Sequence, residues 1–132
     1  MPEKRTLKRA ARDRRQGKAA STQAGEFVRE EIEHIREGKH GARSTKQAIA
    51  IGLSKARRAG VKLRPPRKGT TSKQTRRRAQ RDYARGQRGS AAKPSPRRSR
   101  ASLRRLKREG RAAGSRQALS RQAKQAARRR TA

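Results

Sequence analysis

The bulky apolar residues of this chain are few, and they are gathered in one place. Phe27, Val28, Ile32, Ile35, Ile49, Ile51, Leu53, Val61 and Leu63 are nine of the fifteen Val, Ile, Leu, Met, Phe and Tyr side chains in 132 residues. Hydrophobic stabilisation scales with the apolar area removed from water, so any core must be built between residues 27 and 63. The flanks cannot supply one. Only 28% of the residues are hydrophobic and 39% are charged, with 42 Lys and Arg against nine Asp and Glu, a formal net charge of +33. A chain this charged and this poor in apolar groups does not recover its ordering entropy by burial alone. The expectation is a small folded piece that gains from a partner chain or a polyanion.

Within that window the apolar spacing is helical. At 100° per residue, Ala24, Val28, Ile32 and Ile35 share one face of a helix over residues 22–38. Phe27 sits at the edge of that face. Five of the nine acids fall in the same stretch: Glu26, Glu30, Glu31, Glu33 and Glu37. Glu26, Glu30, Glu33 and Glu37 form a stripe opposite the apolar face, and Glu31 lies on its own beside the apolar face. Ser21 or Thr22 is the expected N-cap. Residues 38–44, GKHGARS, read as a turn. Ser44 to Gln47 then spell a capping box, in which the Ser hydroxyl accepts from the Gln47 amide and the Gln side chain reaches back. The second helix runs to about Ala59 with Ile49, Leu53 and Ala56 inward and Gly52 allowing close approach of another helix. Gly60 and Val61 fit a Schellman end, and Pro65 and Pro66 stop the helix. The result is an αα-hairpin over 21–63.

The flanks are basic. Residues 1–20 form a basic N-terminal helix, EKRTLKRAARDRRQGK over 3–18, with Leu7, Ala10 and Ala11 as its apolar stripe and Gly17 at its end. Residues 64–132 carry most of the charge: from residue 61 onward there are 26 Lys and Arg against Asp82 and Glu109. This Arg- and Ala-rich tail offers short helices over 71–86, capped by Thr71 or Ser72, over 102–110 and over 115–130, with a linker at 86–96. The fold class is therefore all-α: a helical hairpin, a basic N-terminal helix, and a long basic C-terminal tail that is partly disordered or marginally helical on its own.

Several function classes drop out. There is no Cys, which excludes disulfides and thiolate metal sites. Glu31 and His34 have the E-x-x-H spacing of di-iron helices, but such sites need two motifs and further carboxylates; no metal or other cofactor is expected. No nucleophile and base are paired in a recognisable constellation, so no enzyme is expected. No apolar run is long enough to span a bilayer, no apolar segment follows the basic N-terminus as a secretory leader requires, and the basic segments lack the bulky face of membrane-surface helices. The expected location is the cytoplasm, at the nucleoid.

Charge this far from balance implies a polyanion, because each Lys or Arg placed on a phosphate releases a condensed counterion. The candidate phosphate contacts are Arg76, Arg77, Arg78, Arg97, Arg98, Arg104, Arg105 and the run Arg128, Arg129 and Arg130. To these the basic turn adds Lys39, Arg43 and Lys46, with His40 beside them, around a helix N-terminus. The turn is not a P-loop: the GxxxxGK[ST] spacing is absent and no strand precedes it. Ser95-Pro96-Arg97-Arg98 resembles the Ser-Pro-basic-basic turns of histone tails that lie in narrow minor grooves. Phe27 and Tyr83 are the only aromatic residues of the Phe, Trp, Tyr class, too few to stack bases, which favours duplex backbone over single strands. The Glu26, Glu30, Glu33 and Glu37 stripe is expected to dock basic helices of its own chain or of a second copy.

The run STQAGEFVREEIEHIREGKHGARSTKQAIAIGLSKARRAGVKL, with RSRASLRRLKREGR and ALSRQAKQAARRR, resembles a family of small basic bacterial proteins labelled plasmid stabilisation or histone-like DNA-binding proteins. The resemblance implies a bacterial, DNA-associated protein and carries no catalytic residues. Together these readings give non-enzymatic, sequence-independent binding and compaction of double-stranded DNA. An RNA-binding, ribosome-associated protein is the first alternative. The second is a factor that acts in plasmid maintenance through protein contacts, with self-association by the hairpin.

Overall fold

The computed structural model describes residues 2–89 and 95–131. They are all-α. The helices are α1 (Lys4–Arg15), α2 (Ala20–Arg36), α3 (Thr45–Arg58), α4 (Lys73–Gln87), α5 (Pro96–Arg108) and α6 (Arg116–Thr131), with a 3-10 turn at Ala112–Gly114. Among the described residues the only β feature is an isolated bridge between Lys68 and Thr71. Among the described residues no helix is long and apolar enough to cross a membrane. The chain divides into two compact units, one of Met1–Glu30 with Ile51–Ala92, the other of Glu31–Ala50 with Lys93–Ala132. The division falls inside α2 and α3, so each of these helices contributes to both units.

Helix ends are set by local chemistry. Three helices close in the same way. Gly17 donates to the Arg14 carbonyl and Lys18 to Asp13; Gly38 to Ile35 and Lys39 to His34; Gly60 to Arg57 and Val61 to Ala56. These paired bonds are the Schellman pattern, which needs a residue at positive φ. Gly17, Gly38 and Gly60 have φ of 73°, 79° and 101°, angles that glycine adopts without a Cβ penalty. Starts are equally local. The Ser44 hydroxyl accepts from the Gln47 amide at 3.1 Å, while Gln47 Oε1 accepts from the Arg43 amide at 2.6 Å. The Ser72 hydroxyl accepts from Thr75 at 3.2 Å and Ser115 from Ala118 at 3.1 Å.

Two starts differ from the sequence expectation. α2 begins at Ala20, so Ser21 and Thr22 lie in its first turn rather than at its cap. The four residues Gln16 to Ala19 separate it from the end of α1, and the Gln23 side chain donates to the Lys18 carbonyl at 3.0 Å. α5 begins at Pro96 with Ser95 at the cap position, six residues earlier than expected. Proline suits the first helical position because its missing N–H would be unsatisfied there anyway. Ser95-Pro96-Arg97-Arg98 is therefore the first turn of a helix and not a free-standing turn. The linker read at 86–96 begins as helix, to Gln87, and its residues 90–94 lie outside the described residues.

The first unit holds an apolar cluster of Ala10, Ala24, Phe27, Ala56 and Val61, with Ala20, Leu53 and Leu63 packed against it. Its members come largely from the window that the bulky residues mark out. α2 and α3 approach closely where glycine allows it: a Cβ at Gly52 would lie 2.6 Å from Val28 Cα. Phe27, at the edge of the expected face, is buried to 1% exposure.

α1 packs by a face that apolar periodicity does not reveal. Its buried residues are Thr6, Ala10 and Asp13, whereas Leu7 is 42% exposed. The reason is Glu30. Its Oε1 accepts from the Glu3 backbone amide at 2.6 Å and from the Thr6 hydroxyl at 3.0 Å. A carboxylate at the start of α1 meets free N–H groups and the positive end of the helix dipole. Glu30 is 2% exposed, so this contact is shielded from water and salt. Thr6→Val keeps the shape and removes the donor; it should cost about 1–3 kcal/mol, the range for leaving a buried acceptor short of a partner. Chemical denaturation of the two proteins at neutral pH measures it.

The second unit is knitted by the turn between α2 and α3. Gly41 donates to the Leu106 carbonyl at 2.8 Å, and Ala42 to Gly110 at 3.1 Å. The Thr45 hydroxyl donates to Ala113 at 2.6 Å. Arg111 donates to the Ile35 carbonyl at 3.3 Å and also to Arg36, which satisfies carbonyls at the C-terminal end of α2. Ile35 is fully buried, and Ile32, Ala42, Ala48 and Ala113 are buried with it.

Candidate nucleic-acid interface

α4 carries the densest basic surface. Ser72 caps it, and Ala79 is its buried residue. Ser54 donates to Asp82 at 2.7 Å, and the Gln87 side chain donates to the Gly60 carbonyl at 3.1 Å. Gly86 lies so close to α3 that a Cβ there would sit 1.7 Å from the Arg57 carbonyl oxygen. These contacts fix which side of α4 faces the protein. The other side is left to Lys73, Arg77, Arg78, Arg81, Arg85 and Arg88, all exposed and all lining one open concavity with Gln74, Gln80 and Ala84. Lys73, Arg77, Arg81 and Arg85 follow one another at four-residue intervals. At 1.5 Å rise per residue the stripe from 73 to 88 is about 22 Å long.

Neighbouring cations on one helix repel each other. The arrangement therefore stores repulsion that an anion relieves. Asp82, the one acid on α4, is half-buried and accepts from Ser54.

The expected phosphate contacts lie on α4, on α5, on α6 and around the turn before α3. Arg77 and Arg78 belong to the α4 stripe. Arg76 does not: it is half-buried, and its Nε donates to the Pro66 carbonyl at 3.3 Å. Arg97, Arg98, Arg104 and Arg105 are exposed on α5, and Arg128, Arg129 and Arg130 are exposed in the last turn of α6. Lys39, Arg43 and Lys46 are exposed around the turn, with Lys39 3.3 Å from Glu37. The backbone of this turn is committed elsewhere, because Gly41, Ala42 and Arg43 each donate to a protein acceptor. What it can offer an anion is side-chain charge. His40 is not beside those cations at the surface; it is 8% exposed and faces Glu31.

Lys73, Arg81, Arg85 and Arg88 escape a reading that looks for consecutive arginines. The signal that finds them is the spacing on a capped helix: four-residue intervals from Lys73 to Arg85, then Arg88 three residues on. Arg57 was equally hidden. It resembles a cation placed for the helix dipole, yet it is buried and donates to the Leu63 carbonyl at 3.1 Å and to Arg64 at 3.3 Å. Burial lowers its pKa below the ordinary guanidinium value, and the Asp82 charge opposes that shift. Arg57 is therefore a structural cation that ties down the chain leaving α3.

The acidic stripe is not four equivalent groups. Glu30 is buried at the start of α1, Glu26 and Glu33 are half-buried, and Glu37 is exposed. Glu31, set apart from the stripe, is 1% exposed.

No curated protein and no solved structure matches the chain. One family pattern does, over residues 3–69: it takes in α1, α2 and α3 and stops short of α4. By that match, which spans just over half its length, the chain belongs to a family of unknown function, DUF6496.

Proposed function

We propose that this protein binds double-stranded DNA through its phosphates, without catalysis and with little regard to sequence, and so compacts it. The observation that carries this reading is the α4 stripe: six exposed cations on one face of a helix whose opposite face is held against the protein. An α-helix fits the major groove of B-form DNA, and cations along its side can meet phosphates there. α5 and α6 carry exposed arginines of their own.

The aromatic inventory supports duplex over single strand. Phe27 is in the apolar cluster and Tyr83 is half-buried on α4. Proteins that hold single strands stack bases on exposed aromatic platforms. The resemblance to histone-like and plasmid-stabilisation proteins points the same way, and nucleoid association follows from it.

Competition tests the choice of ligand. A short labelled DNA duplex bound to the purified, nuclease-treated protein is challenged with unlabelled competitors. Unrelated duplex DNA should displace the label as well as the same sequence does. Single-stranded DNA should be the poorer competitor, since fewer counterions are released per contact. Displacement by structured RNA at concentrations where duplex DNA fails would instead make RNA the ligand.

A further inference from the structure

The turn that follows α2 folds back on that helix and brings a third group to the Glu31–His34 pair. Glu31, His34 and His40 each place a ligand-capable atom within 4.8 Å of the other two. All three belong to the second unit. Glu31 and His40 are buried, at 1% and 8% exposure, and His34 is half-buried.

The hydrogen bonding around His40 is what makes this cluster more than proximity. His40 Nδ1 lies 2.9 Å from the Gly41 carbonyl oxygen. A carbonyl only accepts, so Nδ1 carries the proton. In a neutral ring Nε2 is then a lone pair, and it faces Glu31 Oε2 at 3.3 Å. An imidazole nitrogen and a carboxylate oxygen at this distance are held together by a shared proton or by a metal ion. A proton serves two atoms, whereas three donors converge here.

We propose that Glu31, His34 and His40 bind a divalent transition-metal ion, Zn²⁺ before others, through one carboxylate oxygen and two imidazole nitrogens. Two His and one Glu are a known three-ligand set for Zn²⁺, with a fourth position for water. Bonds of about 2.0 Å at tetrahedral angles put neighbouring ligand atoms about 3.3 Å apart, the separation already present between His40 and Glu31. The His34 ring stands at 84° to that of His40 with centroids 5.9 Å apart, and ion binding requires this half-buried side chain to bring its nitrogen in from the present separation of up to 4.8 Å. The Nδ1–H bond to a backbone carbonyl is also the usual support of a metal-bound histidine, fixing its tautomer and ring plane. Soft-metal preference is excluded by the absence of thiolate and thioether at the site, and imidazole disfavours Mg²⁺ and Ca²⁺. The ion would pin the α2–α3 turn to α2, and that turn holds the chain at Leu106 and Gly110.

The test is titration of the full-length, nucleic-acid-free protein with Co²⁺ and then Zn²⁺. One equivalent of Co²⁺ should give the intense visible bands of a four-coordinate ion, and Zn²⁺ should remove them. His34→Gln alters the least buried ligand and spares the turn; it should weaken binding by about 100-fold or more, as loss of a supporting residue alone costs about 10–100-fold. Glu31→Gln should do the same. Melting curves keep the result readable if a variant folds poorly: Zn²⁺ should raise the Tm of the parent and leave that of His34→Gln unchanged. A parent protein that shows no such bands and no Tm shift at millimolar Zn²⁺ would hold an imidazolium–carboxylate pair only, and the proposal would be overturned. Binding by His34→Gln equal to the parent would overturn it as well.

Discussion

Replacing Lys73, Arg77, Arg78, Arg81, Arg85 and Arg88 together with Gln will weaken duplex DNA binding by about 10³–10⁴-fold near ~0.15 M salt. The size follows from counterion release. Each phosphate neutralised contributes about 0.9 to the salt slope, and six contribute about 5. Glutamine keeps good helix propensity, and the six positions are exposed, so the fold should survive. Stability should rise slightly at low salt, because repulsion along the helix is removed. The comparison is a variant with Gln at Arg97, Arg98, Arg104 and Arg105. It also loses charge, but from α5. If the α5 variant loses more affinity than the α4 variant, the main contact surface lies on α5 and the α4 stripe is secondary.

Gly86→Ala will unfold or severely destabilise the first unit, by about 3 kcal/mol or more. The added Cβ would meet the Arg57 carbonyl oxygen at 1.7 Å, its carbon at 2.9 Å and the Gly60 nitrogen at 3.0 Å. All three are backbone atoms at the end of α3, where the Schellman bonds of Gly60 and Val61 already fix the chain. No side chain can swing aside. Relief requires α4 to move away, with loss of the Gln87–Gly60 and Ser54–Asp82 bonds. Overpacking of this kind costs about 1–3 kcal/mol even where neighbours can yield. Gly25→Ala is the natural control. It sits in α2 with nothing within 4 Å of the added carbon, and alanine there should stabilise by about 1 kcal/mol through helix propensity. Urea denaturation of the three proteins separates the outcomes. An alanine at 86 that leaves the midpoint unchanged would mean that α4 is not docked on α3.

These two sites mark where the sequence is legible and where it is not. Helix ends are written locally. Gly60-Val61, Gly17 and the Ser44–Gln47 box each act on atoms a few residues away, so their roles can be read directly. The bulky apolar residues likewise locate the core, because only one window has enough of them. Roles that depend on distant partners cannot be read in this way. Glu30 looks like one of four surface acids until Thr6 and the Glu3 amide are placed on it. Gly86 looks like the start of a linker until Arg57 stands against it. Arg76 sits in a run with Arg77 and Arg78, yet Pro66 takes its guanidinium while its neighbours stay at the surface. His40 is separated from Glu31 by eight residues and a Schellman turn, so no spacing rule brings them together.

Binding by phosphate neutralisation has a signature that no amount of affinity alone supplies, and a salt titration reads it. The full chain is titrated onto two short DNA duplexes of unrelated sequence over a range of monovalent salt, and log Kobs is plotted against log salt concentration. Engagement of about 8–10 phosphates gives a slope of about −7 to −9 on both duplexes, with equal affinity at each salt concentration. A slope shallower than about −3, or a marked preference for one duplex that persists as salt rises, would contradict phosphate binding as the basis of this protein's function.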